Sequence, residues 1–351
     1  MAQGIWVAPE PNLAHHRVVP SWVRSGKLMR VLVTGGAGFI GSHVVEALLR
    51  RGDEVTVVDN FNSFYDPALK RRNVDEMKTV GPVRLLEGDL MDADLRARAL
   101  DGCDAVIHLA AWAGVRPSIE MPVRYVEQNV LMPTLLVESM RAAQINRLVW
   151  ASSSSVYGEN AHPPFAEDDN ILAPVSPYAA TKVSGEALAA SFAHLYGLHI
   201  TSLRFFTVYG PRQRPEMAIH KFARLLKQGR AIPRFGDGST SRDYTYIDDI
   251  VGGVLGALDH LEGYQVYNLG ESDRVSLSRL IELLAQTLEC PAQIDELPRQ
   301  AGDVSHTNAD IGRAQRQIGY RPTVPIDEGI RRFCDWFVAR PYLWREDSTE
   351  R

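Results

Sequence analysis

Three cysteines in 351 residues, Cys103, Cys290 and Cys334, stand far apart in the chain. They have neither the paired spacing of a metal site nor that of a disulfide framework, which excludes a cysteine-stapled secreted domain and points to a reducing cytosol. No stretch approaches the ~20 consecutive apolar residues that span a membrane. An excess of positive charge is missing too: 38 Lys and Arg against 43 Asp and Glu leave a net charge of −5 and a pI near 6.1. That balance gives nucleic acid no general electrostatic footing, so an anionic ligand must be held by local arginines and lysines. Internal repeats and low-complexity tracts are absent as well. What remains is a chain with 45% hydrophobic residues, long enough to bury a large core.

Residues 1–28 carry Pro, His and Arg without a continuous apolar segment, so a disordered extension is expected there rather than a secretory signal. From Met29 to about Leu203, apolar runs alternate with helical patterns, the signature of stacked βαβ units. Strands are expected at 31–34, 55–59, 83–87, 105–109, 148–152 and 199–205. The fold class that follows is α/β: a Rossmann-type doubly wound parallel sheet over 29–206, then a smaller C-terminal substrate-binding lobe over 207–340. Some segments of that lobe return to the sheet, and 341–351 form a tail.

The first strand runs into Thr34-Gly-Gly-Ala-Gly-Phe-Ile-Gly41. Gly35, Gly38 and Gly41 permit a tight turn, close approach of a pyrophosphate and close packing of the next helix. The pyrophosphate would sit on that helix N-terminus, where free N–H groups and the dipole favour an anion. Glu54-Val-Thr-Val-Val-Asp59 is a second buried strand ending in an acid, at about the spacing of a ribose-binding carboxylate, and no Arg follows it. Asp59 therefore favours NAD over NADP.

Tyr178 and Lys182 lie one helical turn apart and share a helix face, with Pro177 placed to start the helix. An ammonium near a phenol stabilises the phenolate, so Lys182 is expected to lower the Tyr178 pKa towards the range of a general base. Ser152 to Ser155 close the preceding strand and can offer a hydroxyl to the same substrate oxygen. Cradle, acid, serine cluster and dyad together describe a redox site rather than four separate loops.

These motifs resemble the extended short-chain dehydrogenase/reductase superfamily, specifically its NAD-dependent nucleotide-sugar epimerases and dehydratases. The resemblance covers Met29 to Trp336 and adds Gly88-Asp89-Leu90, His108-Leu-Ala-Ala111, Ser152-Ser-Ser-Ser-Val-Tyr-Gly158, Arg204-Phe-Phe-Thr-Val-Tyr-Gly-Pro211 and Phe235-Gly-Asp-Gly-Ser-Thr-Ser-Arg-Asp-Tyr-Thr-Tyr246 to the cradle and dyad. It implies that Tyr178 takes the proton of a sugar 4-hydroxyl while the C4 hydride passes to NAD, that Ser153 hydrogen-bonds the same oxygen, and that Lys182 binds the nicotinamide ribose. It implies cofactor contacts from Gly35, Gly38, Phe39, Ile40, Gly41, Asp59, Asn60, Asp89, Leu90, Leu109, Ala110, Ala111 and the Phe205 backbone, with Asn129 behind the site. Helices over 127–144 and from 178, striped with Val130, Leu131, Leu135, Leu136 and Val183, Leu188, Phe192, would meet their copies in a homodimer.

Within that family the departures choose the reaction. Dehydratases carry an Asp-Glu pair where this chain has Ser154 and Ser155, and decarboxylases usually have Glu at Ser155, so elimination and loss of carbon dioxide are disfavoured. Simple 4-epimerisation remains. UDP-glucose 4-epimerases generally have Asn where Thr207 stands, whereas UDP-glucuronate 4-epimerases resemble this chain in Thr207 and in the stretch Arg214 to Met217. Arg214 suits a bidentate contact with a C6 carboxylate. Gly114, Val115 and Arg116 are the other sugar-side candidates; Trp112 and Pro117 depart from the expected Gln and Tyr. For the UDP half the resemblance implies Lys221, Arg242, Arg299 and Asp303. A UDP-glucose 4-epimerase is the alternative, followed by another nucleotide-sugar enzyme or a non-catalytic dinucleotide sensor. The intact Tyr178 and Lys182 weigh against the last.

Overall fold

Six strands form where the apolar runs place them: β1 (Arg30–Thr34), β2 (Glu54–Asp59), β3 (Val83–Glu87), β4 (Ala105–His108), β5 (Arg147–Ser153) and β6 (His199–Phe205). The computed structural model describes residues 28–159, 163–298 and 306–345. The expected extension therefore lies outside the described residues, apart from the exposed Leu28.

A seventh strand, Tyr264–Leu269, comes from the C-terminal region and pairs in parallel with β6. Its sequence, Tyr-Gln-Val-Tyr-Asn-Leu, is mixed and carries no continuous apolar run like that of β1. The sheet order is Tyr264–Leu269, β6, β5, β4, β1, β2, β3, all parallel. This is a Rossmann-type sheet whose order reverses between β1 and β4, and ligands of such sheets bind beyond the carboxyl ends at that switch point.

Both faces of the sheet are covered, which is why the central strands β1 and β4 are buried almost throughout. Helices α1 (Phe39–Arg51), α2 (Pro67–Val80) and α3 (Ala93–Leu100) follow the first three strands. Val31 and Val33 share a core with Val44 and Leu48 of α1 and with Ile250 and Val254 of the helix Ile247–Asp259. Leu32 and Val106 point the other way, into a core with Leu95 of α3, Leu136 and Phe192. The stretch expected as one helix over 127–144 is a π-helical turn, Glu127–Leu131, followed by an α-helix, Met132–Ala142.

The smaller region is built from two-stranded pairs: Thr207–Tyr209 with Tyr244–Tyr246, Ser241–Arg242 with Val275–Ser276, and Ile232–Phe235 with Ile294–Leu297. Asp243 knots it together, because its buried carboxylate accepts the backbone N–H groups of Glu271 (2.7 Å), Ser272 (3.0 Å) and Ala309 (3.0 Å). The residues expected as a tail begin with a 3₁₀ turn, Pro341–Leu343, in which Leu343 is buried.

Candidate active site

The Gly-rich loop leaves β1 at Gly35, whose φ of +68° lies in the left-handed region that a side chain resists. A Cβ there would stand 2.8 Å from the Ala110 backbone, and one on Gly41 would stand 2.3 Å from the Gly35 carbonyl oxygen. The loop is thus clamped between α1 and the segment after β4. Gly38 caps α1 without a side-chain acceptor, so the first N–H groups of the helix remain available to an anion. At the end of β2 the buried Asp59 accepts the Phe61 N–H at 2.9 Å, and Asn60 donates to Asp89 at 3.2 Å. Cradle, open helix end and strand-end acid fit a dinucleotide laid across the switch point.

Ser176 caps the helix Pro177–Tyr196 by accepting the Ala179 N–H. One turn in, Lys182 Nζ donates to the Ala151 carbonyl at 2.8 Å and lies 5.9 Å from the centre of the Tyr178 ring. Strand alternation splits the serines. Ser152 donates to Glu186, which holds Arg204 in a buried pair at 2.8 Å, whereas Ser153 lines the cleft close enough to Tyr178 to bias its phenol, its Oγ donating to Ser155 Oγ at 3.2 Å. The Tyr178 phenol is not pulled down as expected from Lys182. Burial pushes it up, against smaller downward pulls from the Ser153 hydrogen bond and the Arg214 charge. Lys182 itself is lowered to about 8 by burial, against an upward pull from the Glu186 charge, and its Nζ donates to a carbonyl rather than to the phenol.

A cleft of about 380 Å³ gathers these groups. It is lined by Gly35, Gly38, Phe39, Ile40, Gly41, Asp59, Asn60, Asp89, Leu90, Leu109, Ala110, Ala111, Ser153, Tyr178, Lys182 and Phe205. At the sugar-side end it meets Gly114, Val115, Ser154, Ser155, Thr207, Arg214 and Met217. Asn129 stands behind the wall in the π-helical turn, its side chain bonding both the N–H and the carbonyl of Trp112 at 2.8 Å. Arg116 packs on the Phe235 ring, and Lys221 and Arg242 also lie outside this lining. Arg299 and Asp303 fall outside the described residues.

Sequence reasoning passed over part of the lining. Phe64, Tyr65 and Lys70 enter from the loop before α2 and from α2 itself, and Lys70 Nζ lies 3.6 Å from Asp59. Phe64, Trp112, Tyr125 and Tyr178 form a run of edge-to-face rings along one wall. The available signal was the aromatic cluster Phe61, Phe64, Tyr65 between a strand-end acid and the helix-starting Asp66-Pro67.

Arg214 approaches the Tyr178 end of the cleft with its guanidinium 5.4 Å above the Phe64 ring and its Nε 3.0 Å from Glu216. Among the described residues no His/Cys/Asp/Glu cluster is arranged to hold a metal ion, and no helix is long and apolar enough to cross a membrane.

A family model described as the NAD dependent epimerase/dehydratase family matches residues 31–270. The chain is 44% identical to UDP-glucuronate 4-epimerase 3 of Arabidopsis thaliana, over 91% of its own length and 81% of that protein's. Its structure resembles the UDP-glucuronic acid 4-epimerase of Bacillus cereus in complex with UDP-glucuronic acid and NAD: TM-score 0.83, 35% identity, covering 88% of this chain and 98% of that one. The UDP-glucose 4-epimerase of Thermotoga maritima, solved with UDP-glucose, gives a TM-score of 0.82 at 32% identity, covering 89% and 99%.

Proposed function

The chain belongs to the NAD dependent epimerase/dehydratase family, and from that footing we propose that it interconverts UDP-glucuronate and UDP-galacturonate by inverting C4. The observation that carries the choice of sugar is Arg214. It is a guanidinium lining the cleft close enough to bias the Tyr178 phenol, with Thr207 in the same lining. A neutral hexose gives such a cation nothing to neutralise, whereas a C6 carboxylate accepts its two parallel N–H groups.

NAD, when bound, supplies reversible two-electron chemistry at C4. Gly35, Gly38, Gly41 and the α1 N-terminus would hold its pyrophosphate, Asp59 a ribose, and Asn60, Asp89 and Leu90 the adenine end. Tyr178 takes the proton from O4 as the carbon is oxidised and returns it after the 4-keto sugar has turned over. Ser153 holds O4 against the phenol throughout. Burial disfavours a free phenolate, and the Arg214 charge partly offsets it. Ser154 and Ser155 provide no carboxyl pair for elimination. Lys221 and Arg242, outside the lining of the cleft, are the proposed contacts to the UDP diphosphate.

We further infer a homodimer in the cytoplasm. Exposed Val123, Val126 and Leu131 lie on the stretch packed beside the helix Pro177–Tyr196, and Cys103, Cys290 and Cys334 are free thiols. Light scattering of the purified protein checks the dimer.

Proton NMR of sugar products from UDP-glucuronate and UDP-glucose, without added reductant, tests the reading. Expected is galacturonate from the first, lost in Tyr178→Phe. Product from UDP-glucose alone would overturn the assignment to the acid sugar.

A further inference from the structure

Two residues before Arg214 the chain does something costly. Arg212 has a φ of +65°, a left-handed backbone that a non-glycine residue keeps only where its surroundings hold it. Its side chain is 8% exposed and is shared between two carboxylates: Glu46 of α1 and Glu76 of α2, the latter 3.0 Å from Nε. The neighbour on one side, Pro211, offers its carbonyl to His43 Nε2 at 3.0 Å, so Nε2 of His43 on α1 carries the donated hydrogen. Gln213, on the other side, donates to the Val208 carbonyl at 3.1 Å and receives Nδ1 of His220 at 2.7 Å on its own carbonyl. Residues 211–213 are therefore fastened one after another, and Arg214 is the next side chain, the one that lines the cleft.

The partners matter as much as the fastening. Helix α1 is capped by Gly38, so its N-terminus is the cofactor cradle, and His43 and Glu46 lie farther along that same helix. Arg212 thus bolts the sugar-side loop to the element that fixes the dinucleotide. We propose that Arg212 is a positioning residue, setting the Arg214 guanidinium at the distance from the cofactor cradle that a sugar carboxylate requires. The proposal rests on the reading of Arg214 as the carboxylate contact. Misplacement of a binding group by about 1 Å costs on the order of 10²-fold in turnover efficiency, so a loosened bolt is measurable without loss of the fold.

The test is a double-mutant cycle on the NAD-loaded enzyme with Arg212→Lys, Arg214→Met and both together, reading KM and kcat for UDP-glucuronate. Lysine keeps a charge between Glu46 and Glu76 but loses the planar fork. Arg212→Lys is expected to raise KM by about 10-fold or more while kcat and NAD content stay within about 3-fold, and to add less than about 2-fold once Arg214 is Met. Equal effects in both backgrounds would overturn the proposal, since Arg212 would then act without Arg214. An unchanged KM in Arg214→Met alone would remove the carboxylate reading, and the proposal with it. Should Arg212→Lys fail to fold, Glu76→Gln, which removes one partner and leaves Glu46, enters the same cycle under the same criteria.

Discussion

Two glycines of the cradle should fail in opposite ways when given a methyl group. On Gly41 an added Cβ would stand 2.3 Å from the Gly35 carbonyl oxygen and 2.7 Å from Gly36 Cα, both backbone atoms of a clamped loop. Relief requires α1 to retreat by several tenths of an ångström, an overpacking that costs about 1–3 kcal/mol. At ~2–4 °C per kcal/mol for a large domain, Gly41→Ala should lower the melting temperature of the NAD-free protein by several degrees. On Gly38 the nearest contacts would be the Gly35 oxygen at 3.2 Å and Tyr65 Oη at 3.9 Å, and the backbone φ of −74° suits alanine. Gly38→Ala should therefore melt within ~0.5 kcal/mol of the parent. Its methyl would instead occupy the approach of the pyrophosphate, weakening NAD by about 10-fold or more, some 1.4 kcal/mol. Thermal melts of the stripped protein and NAD titration separate the two. The reasoning is refuted if Gly38→Ala melts early yet binds NAD normally, or if Gly41→Ala leaves the melt untouched.

Acid should destabilise the protein below pH 6.5. His43 and His220 are lowered to about 4 and His108 to about 3, all by burial first, so the unfolded chain gains protons that the folded one refuses, at about 1.4 kcal/mol per pH unit for each histidine. Glu271, raised to about 8 by burial and then by Asp249 and Asp243, works the other way over pH 4.5–8 and offsets part of that slope. Urea unfolding at pH 6.5 and 5 measures it, and an unchanged free energy would contradict neutral buried histidines. Glu216→Gln should lower KM for UDP-glucuronate by at most about 5-fold, because it frees Arg214 from a partner worth ~0.2–1 kcal/mol; a rise would mean that Glu216 orients Arg214 instead. Glu186→Gln should cost about 3–5 kcal/mol in unfolding free energy, since it leaves the buried Arg204 guanidinium without its counter-charge. A loss below 1 kcal/mol would show that Arg204 is reached by water.

What the sequence disclosed was whatever a local period encodes. Largely apolar runs such as 31–33 and 55–58 made β1 to β6 legible to within a residue at each end, whereas Tyr264–Leu269 was not, because its buried Asn268 is satisfied by Tyr157, Phe165 and Asp310, all more than 40 residues away. Four-residue spacing placed Tyr178 and Lys182 on one helix face, but the Lys182 Nζ partner is a carbonyl 31 residues away on β5, and no spacing reports that. The same separation hid Arg212, whose carboxylates lie 136 and 166 residues upstream.

Charges in the smaller region pose a harder problem. Arg242 follows Ser241 on a two-residue strand, and Ser241 turns its hydroxyl to His306 at 2.8 Å, so alternation sends Arg242 to the opposite side. Which side faces a ligand depends on how that strand pairs with Val275–Ser276, and so on Asp243 gathering the N–H groups of residues 271, 272 and 309. A motif can therefore name an arginine, but a buried carboxylate on the next residue decides where it points. If Arg242 contacts the nucleotide as proposed, Asp243→Asn should weaken UDP binding in titration calorimetry to about the level of Arg242→Met, and an unchanged affinity would show that Asp243 does not aim Arg242.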